Sequence, residues 1–287
     1  MTSAQPTNAM TIDVEDYFQV SAFAPYIARS DWVNRECRVE RNVNRILDML
    51  ASQQTKATFF TLGWIAERYP QIVRRIVQDG HELASHGYGH ERASDLSREA
   101  FSSDIQSAKK LLEDIGGVPV LGYRAPSFSI GTANLWAFDC LQEAGYRYSS
   151  SVYPVKHDHY GMPDAPRFAY DVRDGLTEIP PTTLRMFQRN LPSSGGGYFR
   201  LLPYAVSRWM LRQVNAGEGE SAVFYFHPWE IDSGQPRVEG VNAKTRFRHY
   251  VNIGRMEDRL QRLLRDFRWG RMDQIFLGRT AVSAAHA

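Results

Sequence analysis

The run Ala57-Thr58-Phe59-Phe60-Thr61-Leu62 is short, apolar and rich in β-formers, and the segment after it decides the fold. Trp64–Gln78 reads as a helix closed by Gly80 as C-cap, and Glu82–Ser85 reads as the next strand. The same alternation extends in both directions. Upstream lies a candidate strand at Met10–Val14, and between it and Ala57 the residues Val43, Ile46, Leu47 and Leu50 fall at i, i+3, i+4 and i+7. Downstream come strands at Val120–Tyr123, Tyr146–Ser150, Leu176–Ile179 and Ala222–Phe226. Ser97 can cap a helix running to Ile115 with Gly116-Gly117 as its stop, and Thr132–Ala144 ends at Gly145 in the same way. Strands alternating with helices predict an α/β fold with a parallel sheet inside and helices outside. Seven such units over about 220 residues suit a barrel better than a short open sheet, with a doubly wound sheet as the alternative.

Composition excludes several classes. The 287 residues are 43% hydrophobic and 23% charged, which argues against disorder, collagen and coiled coil for the chain as a whole. Net charge is +2, from 34 Lys+Arg against 32 Asp+Glu, so nothing global attracts nucleic acid or anionic membrane. Cys37 and Cys140 have no CxxC spacing, which suits a reducing compartment. No apolar run approaches the ~18 residues of a membrane span. Met1–Ala9 is polar, contains Pro6 and lacks the basic start and apolar stretch of a signal peptide; a disordered N-terminus over 1–9 and a cytoplasmic location are expected.

The barrel is expected over 10–235 and a basic helical extension packed on it over 236–287. Arg237–Thr280 holds ten Arg and one Lys against five Asp+Glu, a local +6. Leu260, Leu263, Leu264 and Phe267 sit there at helical spacing, so an amphipathic helix with a solvated Arg face is the plain reading, and binding of an anionic polymer or lipid phosphate the other. Ser193-Ser194-Gly195-Gly196-Gly197 reads as a mobile loop, and Val152–Val172 as a long structured loop.

Chemistry-bearing residues gather at the C-terminal ends of the strands, the edge where parallel α/β folds assemble sites. Asp13, Glu15 and Asp16 crowd three carboxylates into four residues, which a cation, an arginine or water must offset; on a strand Asp13 and Glu15 share a face. His86 and His90, at i and i+4 in Ser85-His86-Gly87-Tyr88-Gly89-His90, can meet one metal ion, and with a carboxylate they form a common catalytic set. Arg124, in Arg124-Ala125-Pro126-Ser127-Phe128, could hold a carboxylate in its fork. His227, in Phe226-His227-Pro228-Trp229-Glu230, is placed as acid or base, with a core histidine as the plain alternative. The glycine run at Gly195–Gly197 could approach a ligand closely, but no Lys-Ser/Thr follows it, so it is not a phosphate loop; no Gly-x-Ser-x-Gly elbow is present.

An Asp-rich strand end, His-x-x-x-His, Arg-x-Pro and a late strand-end histidine, in that order over roughly Met10 to Phe276, resemble the polysaccharide deacetylase family, carbohydrate esterase family 4. The wording Asp13-Val14-Glu15-Asp16-Tyr17-Phe18, Arg124-Ala125-Pro126-Ser127-Phe128 and His227-Pro228-Trp229-Glu230 is similar to the subgroup associated with exosortase/PEP-CTERM exopolysaccharide systems. The resemblance implies a distorted (β/α)7 barrel in one domain, and hydrolysis of N-acetyl groups on an N-acetylated oligo- or polysaccharide. It implies a divalent metal, usually Zn2+ with Co2+ or Ni2+ as substitutes, held by His86, His90 and either Glu15 or Asp16: strand parity favours Glu15, the family's aspartate habit Asp16.

Asp13 would be the general base, Arg124 would fix its carboxylate, and His227 would protonate the departing amine. A backbone N–H near Tyr153 would serve the oxyanion, and Phe226 and Trp229 would wall the acetyl pocket. Two departures stand out. Gly87 replaces the Ser/Thr that normally braces the histidine loop, and Ser149-Ser150-Ser151 stands where the family offers an aspartate, leaving the partner of His227 unassigned. Competing functions are another C–N hydrolase on the same fold, such as a deformylase or an allantoinase-like amidohydrolase, and a non-catalytic carbohydrate-binding module. Without a signal peptide, the substrate is expected to be an unexported, lipid-linked precursor met at the inner membrane face, with peripheral contact to the membrane or a biosynthesis complex.

Overall fold

The structure is a computed structural model that describes residues 6–156 and 161–278. All seven expected strands form: β1 (Asn8–Val14), β2 (Thr58–Thr61), β3 (Glu82–Ser85), β4 (Gly122–Tyr123), β5 (Tyr148–Ser149), β7 (Leu176–Glu178) and β10 (Val223–Phe226). They run parallel in the order β10-β1-β2-β3-β4-β5-β7, so the last strand returns beside the first as in a barrel. The curl is incomplete. Instead of pairing with β10, β7 takes β6 (Tyr170–Arg173) antiparallel on its free edge. The gap is bridged by Thr182, whose amide donates to the Val223 carbonyl (3.2 Å) and whose hydroxyl accepts from the Val223 amide (2.6 Å). The fold is a distorted (β/α)7 barrel in one domain. A separate hairpin of β8 (Thr183–Met186) and β9 (Arg189–Pro192) stands outside the sheet.

Helices cover the outside. α1 (Val39–Ser52) buries Val43, Ile46, Leu47 and Leu50, the four positions whose spacing predicts it. The helix expected over Trp64–Gln78 is divided into α2 (Gly63–Arg68) and α3 (Pro70–Gln78), because Pro70 cannot donate to the preceding turn. α4 (Arg98–Gly116) is capped by the Ser97 side chain, which accepts from the Ala100 amide, and closed by Gly117 in the left-handed region. α5 (Ala137–Glu143) is shorter than the expected Thr132–Ala144. α6 (Gly196–Leu201) and α7 (Tyr204–Arg212) follow the hairpin; α8 (Ala243–Tyr250) and α9 (Met256–Asp266) precede β11 (Trp269–Gly270), which adds to the start of β1. Met256, Leu260, Leu263 and Leu264 of α9 are buried, the amphipathic face that the tail pattern predicts.

Period two decides which side chains see the barrel interior. Met10, Ile12, Val14, Phe224 and Phe226 pack outward against α1 and α9. Ala9, Phe60, Ala84, Tyr148, Ile179 and Val223 fill the interior at its lower end, with Met272 of the C-terminal segment. The upper end is left to Thr11, Asp13 and their partners. Two expectations are corrected here. β1 begins at Asn8, so Asn8 and Ala9 belong to the sheet; Asn8 exchanges amide hydrogen bonds with Asn215 (3.1 and 2.7 Å) and so is anchored (Met1–Gln5 lie outside the described residues). The run expected as a mobile loop instead leads into α6, with Ser193 to Gly196 buried and Gly196 and Gly197 forming the first residues of the helix.

Candidate metal and catalytic centre

Thr11 and Asp13 near the end of β1 and Glu15 just beyond it meet one another's partners above the barrel. The Arg124 guanidinium is fully buried and reaches Asp13 Oδ1 (2.6 Å), Thr11 Oγ1 (2.8 Å), and the hydroxyl (3.0 Å) and carbonyl (3.3 Å) of Ser150. It also lies 4.0 Å over the Phe60 ring. The serine run at the end of β5 therefore serves Arg124 rather than His227. A buried arginine with all three nitrogens hydrogen-bonded needs an anion to offset its charge, and here that anion is Asp13.

Glu15, His86 and His90 each offer one ligand atom, all within 4.8 Å of one another. Nδ1 of His86 lies 2.8 Å from the Arg124 carbonyl; a carbonyl can only accept, so Nδ1 carries the proton and Nε2 offers its lone pair. Burial pushes the His86 imidazolium down to about 4, so the ring is neutral, the form a cation binds. Glu15 Oε2 stands 2.6 Å from His90 Nε2, yet it is a buried oxygen without a hydrogen-bond donor, as a ligand position would be. Burial opposes ionisation of Glu15, but His90, His227 and His86 outweigh it and hold the carboxyl well below the usual carboxylate range. One neutral imidazole, a second histidine and an ionised carboxylate form a donor set that fits a divalent cation.

Asp16 is outside this group. Its oxygens accept from the amides of Tyr17 (2.8 Å), Arg38 (2.5 Å) and Val39 (2.8 Å), and from Cys37 Sγ (3.1 Å), so it caps the entry to α1. The choice left open in the sequence falls geometrically on Glu15, which keeps the parity of Asp13.

The histidine loop is braced without the expected Ser/Thr. Asp104 of α4 accepts from the Tyr88 amide (3.0 Å), and a Cβ at Gly87, where φ is +74°, would stand 2.7 Å from its Oδ2. Glycine thus admits the carboxylate that replaces the missing hydroxyl. Gly63 and Trp64 at the start of α2 donate to the carbonyls of Gly87 (2.9 Å) and Tyr88 (2.8 Å). His90 is itself left-handed (φ +57°), a conformation that histidine tolerates better than most residues.

His227 caps the short turn Pro228–Ile231. Its Nδ1 lies 2.8 Å from Glu230 Oε1, and its Nε2 faces Glu15 Oε1 at 3.6 Å and Asp13 Oδ2 at 3.8 Å. Burial would lower its pKa, but Glu15, Glu230 and Asp13 push it up to about 9. Arg200 fixes Glu230 in turn, with Nε 2.7 Å from Oε2, while its Nη1 donates to the carbonyls of His249 (2.8 Å) and Val251 (2.7 Å). A Cβ at Gly196 would collide with the Glu230 carboxylate, so the glycine run makes room for this pair rather than for a ligand. Residue spacing does announce Glu230: an acidic residue three positions after an N-cap is the capping-box signature. Arg200, thirty residues away, has no such signal.

The expected pocket walls are corrected. Phe226 lies in the outer core, its ring 6.4 Å from Phe224. Trp229 has both faces covered, stacked on His227 (5.2 Å) and His249 (4.2 Å), and its indole N–H donates to Glu15 Oε1 (3.1 Å). It holds the Glu15 carboxylate and the His227 ring in place instead of lining a pocket. The Tyr153 ring is buried with Phe128, Val155 and Tyr225, and its hydroxyl donates to the Ser194 carbonyl (3.2 Å).

A parallel barrel with a candidate His-His-carboxylate set, a buried Asp–Arg pair and a carboxylate-held histidine at its strand ends is the arrangement that the class of metal-site α/β-barrel hydrolases uses. Comparison narrows the class: residues 33–149 match the polysaccharide deacetylase model, residues 150–277 match a domain of unknown function (DUF3473), and the chain carries a polysaccharide deacetylase (carbohydrate esterase family 4) domain. A peptidoglycan-N-acetylglucosamine deacetylase of Bacillus cereus is 35% identical over 103 residues, 36% of this chain and 46% of that protein. A chitooligosaccharide deacetylase of Azorhizobium caulinodans is 37% identical over 82 residues, 28% of this chain and 39% of that one. The matched stretches thus span less than half of these curated relatives. A solved structure from Mycobacterium smegmatis, assigned to the polysaccharide deacetylases, superposes with a TM-score of 0.62 at 22% identity over 96% of this chain and 91% of that one, a likeness of fold.

Proposed function

We propose that this chain removes acetyl groups from the N-acetylated sugars of an oligo- or polysaccharide by metal-dependent hydrolysis of the amide. The observation that carries the proposal is the facing of acid and base: His227 Nε2 and Asp13 Oδ2 stand 3.8 Å apart beside the Glu15-His86-His90 set. A divalent cation on those three residues, zinc by the chemistry of the donor set, would polarise the acetyl carbonyl and acidify water.

The chain's own residues supply the rest. Asp13, oriented by Arg124, accepts the proton of the attacking water. His227 delivers a proton from Nε2 to the amine as the C–N bond breaks, while Glu230 retains the proton on Nδ1 and stabilises the charged ring. Asp13 thus gains a proton and His227 loses one, and their contact returns both to the starting state. A backbone N–H near Tyr153 assists the oxyanion. Motif wording similar to the exosortase-associated subgroup supports an exopolysaccharide, or its cytoplasmic precursor, as the natural substrate.

The test is acetate and amine release from N-acetylglucosamine oligomers by chelated protein reloaded with Zn2+, Co2+ or Ni2+. Release of acetate only after reloading is the expected result; formate from N-formyl substrates, or no acid from any, contradicts it.

A further inference from the structure

From residue 179 to 217 the chain has no Asp or Glu and five arginines, in a protein whose net charge is only +2. Arg200 is consumed by Glu230 and Arg208 pairs with Asp266 (2.8 Å). Arg185, Arg189 and Arg212 are exposed and have no acidic partner among the described residues. The same segment carries four of the eight large exposed apolar side chains among the described residues: Phe187 (84% exposed), Leu201, Val206 and Trp209.

These residues share one substructure. Leu184 of β8 and Leu191 of β9 pack on Met210 and Val214 at the end of α7 and on Leu202, which fixes the hairpin against the helix. Val206, Trp209 and Gln213 occupy the exposed stripe beside that contact at i, i+3 and i+7. Phe187 and Gln188 turn the hairpin with φ of +52° and +58°. A two-residue turn of this kind normally uses Asn and Gly; here a bulky aromatic takes the strained position and is held out in solvent between Arg185 and Arg189. Asn190 donates to the carbonyls of Pro154 (2.9 Å) and Pro163 (3.3 Å), which ties the hairpin to the loop bearing Tyr153 at the flank of the catalytic centre.

We propose that the hairpin tip and the exposed stripe of α7 form a docking surface for an anionic lipid bilayer. The charge argues for that occupant: guanidinium groups without acidic neighbours meet anionic headgroups, each contributing roughly fivefold in affinity. The apolar groups argue for it too. Phe and Trp interleaved with Arg on a hairpin outside the sheet and on a helix face suit the headgroup boundary, where aromatic rings settle.

The full chain should sediment with vesicles of phosphatidylcholine containing about 30% phosphatidylglycerol at low salt and not with phosphatidylcholine alone, and about 0.5 M salt should weaken the binding. Phe187→Ser with Trp209→Ser should lower the partition coefficient at least about tenfold, as should Arg185→Glu with Arg189→Glu, at unchanged thermal midpoint. Absence of binding to anionic vesicles, equal binding to neutral ones, or equal binding by wild type and both double variants would overturn the proposal. So would a wild-type dimer in light scattering that Phe187→Ser dissociates, since the patch would then be an interface between copies. Vesicle binding needs neither metal nor turnover, so its failure is distinct from failure of the deacetylase reading.

Discussion

His86 and His227 belong to the same strand-end cluster, His86 buried and His227 partly exposed, and both are held through Nδ1, yet they are prepared for opposite chemistry. The Nδ1 of His86 faces a peptide carbonyl and burial drives the ring to neutrality, so Nε2 has a lone pair free for a ligand role. The Nδ1 of His227 faces the Glu230 carboxylate and the ring is pushed to the charged form, so Nε2 carries a proton that it can give, the role proposed for it. The partner on one nitrogen selects the work of the other.

Breaking the ligand side should have the largest effect. His86→Ala and His90→Ala should each abolish stoichiometric metal, read by elemental analysis, and lower kcat/KM by more than about a thousandfold. Asp13→Asn should retain metal and lose about 10^2–10^4 in kcat, which separates the base from the ligands. On the acid side Glu230→Gln should leave metal content intact and lower kcat by about 10–100-fold, because a neutral amide no longer stabilises the charged His227. Trp229→Phe keeps both ring stacks and removes only the indole donor to Glu15, so metal affinity should weaken about tenfold with folding unchanged.

The smallest effect concerns another buried carboxylate, Glu178. It accepts from the amides of Ser151 (2.7 Å) and Val152 (2.8 Å), its Oε2 has no partner, and burial raises it to about 7. Because the folded value lies above the unfolded value near 4.3, the folded state holds the proton more tightly. Stability is therefore full below about pH 4 and is lost as pH rises through about 7, by at most on the order of 3 kcal/mol. Glu178→Gln keeps the accepting oxygen and should raise Tm at pH 8 with little change at pH 4. An equal rise at both would remove the electrostatic cause.

The contrast also marks what residue order can disclose. Period-two strands, Ser97, Gly117 and the i, i+4 histidines are local signals, and the seven strands and the ligand pair follow from them. The Asp174-Gly175 turn between β6 and β7 is local too, a hairpin signal present in the sequence. The β8–β9 hairpin was hidden because Phe187-Gln188 carries no turn chemistry. The choice of Glu15 over Asp16 depends on the entry to α1, more than twenty residues away, and the Arg200–Glu230 pair depends on where α6 docks. Trp229 reads as a pocket wall by type and becomes a strut only when His249 is placed behind it. Of the central residues only His86, His90 and Arg124 lie within the matched deacetylase segment; Asp13 and Glu15 precede it, and Arg200, His227 and Glu230 fall in the segment of unknown function. The candidate centre thus draws on both segments and on the strand that precedes them.

The most direct measurement is anomalous scattering at the zinc edge from a zinc-soaked crystal. One peak about 2.0–2.2 Å from Glu15, His86 and His90, with Asp16 still on the α1 amides, is the predicted result. A peak on Asp16, or none between the two histidines, would contradict it.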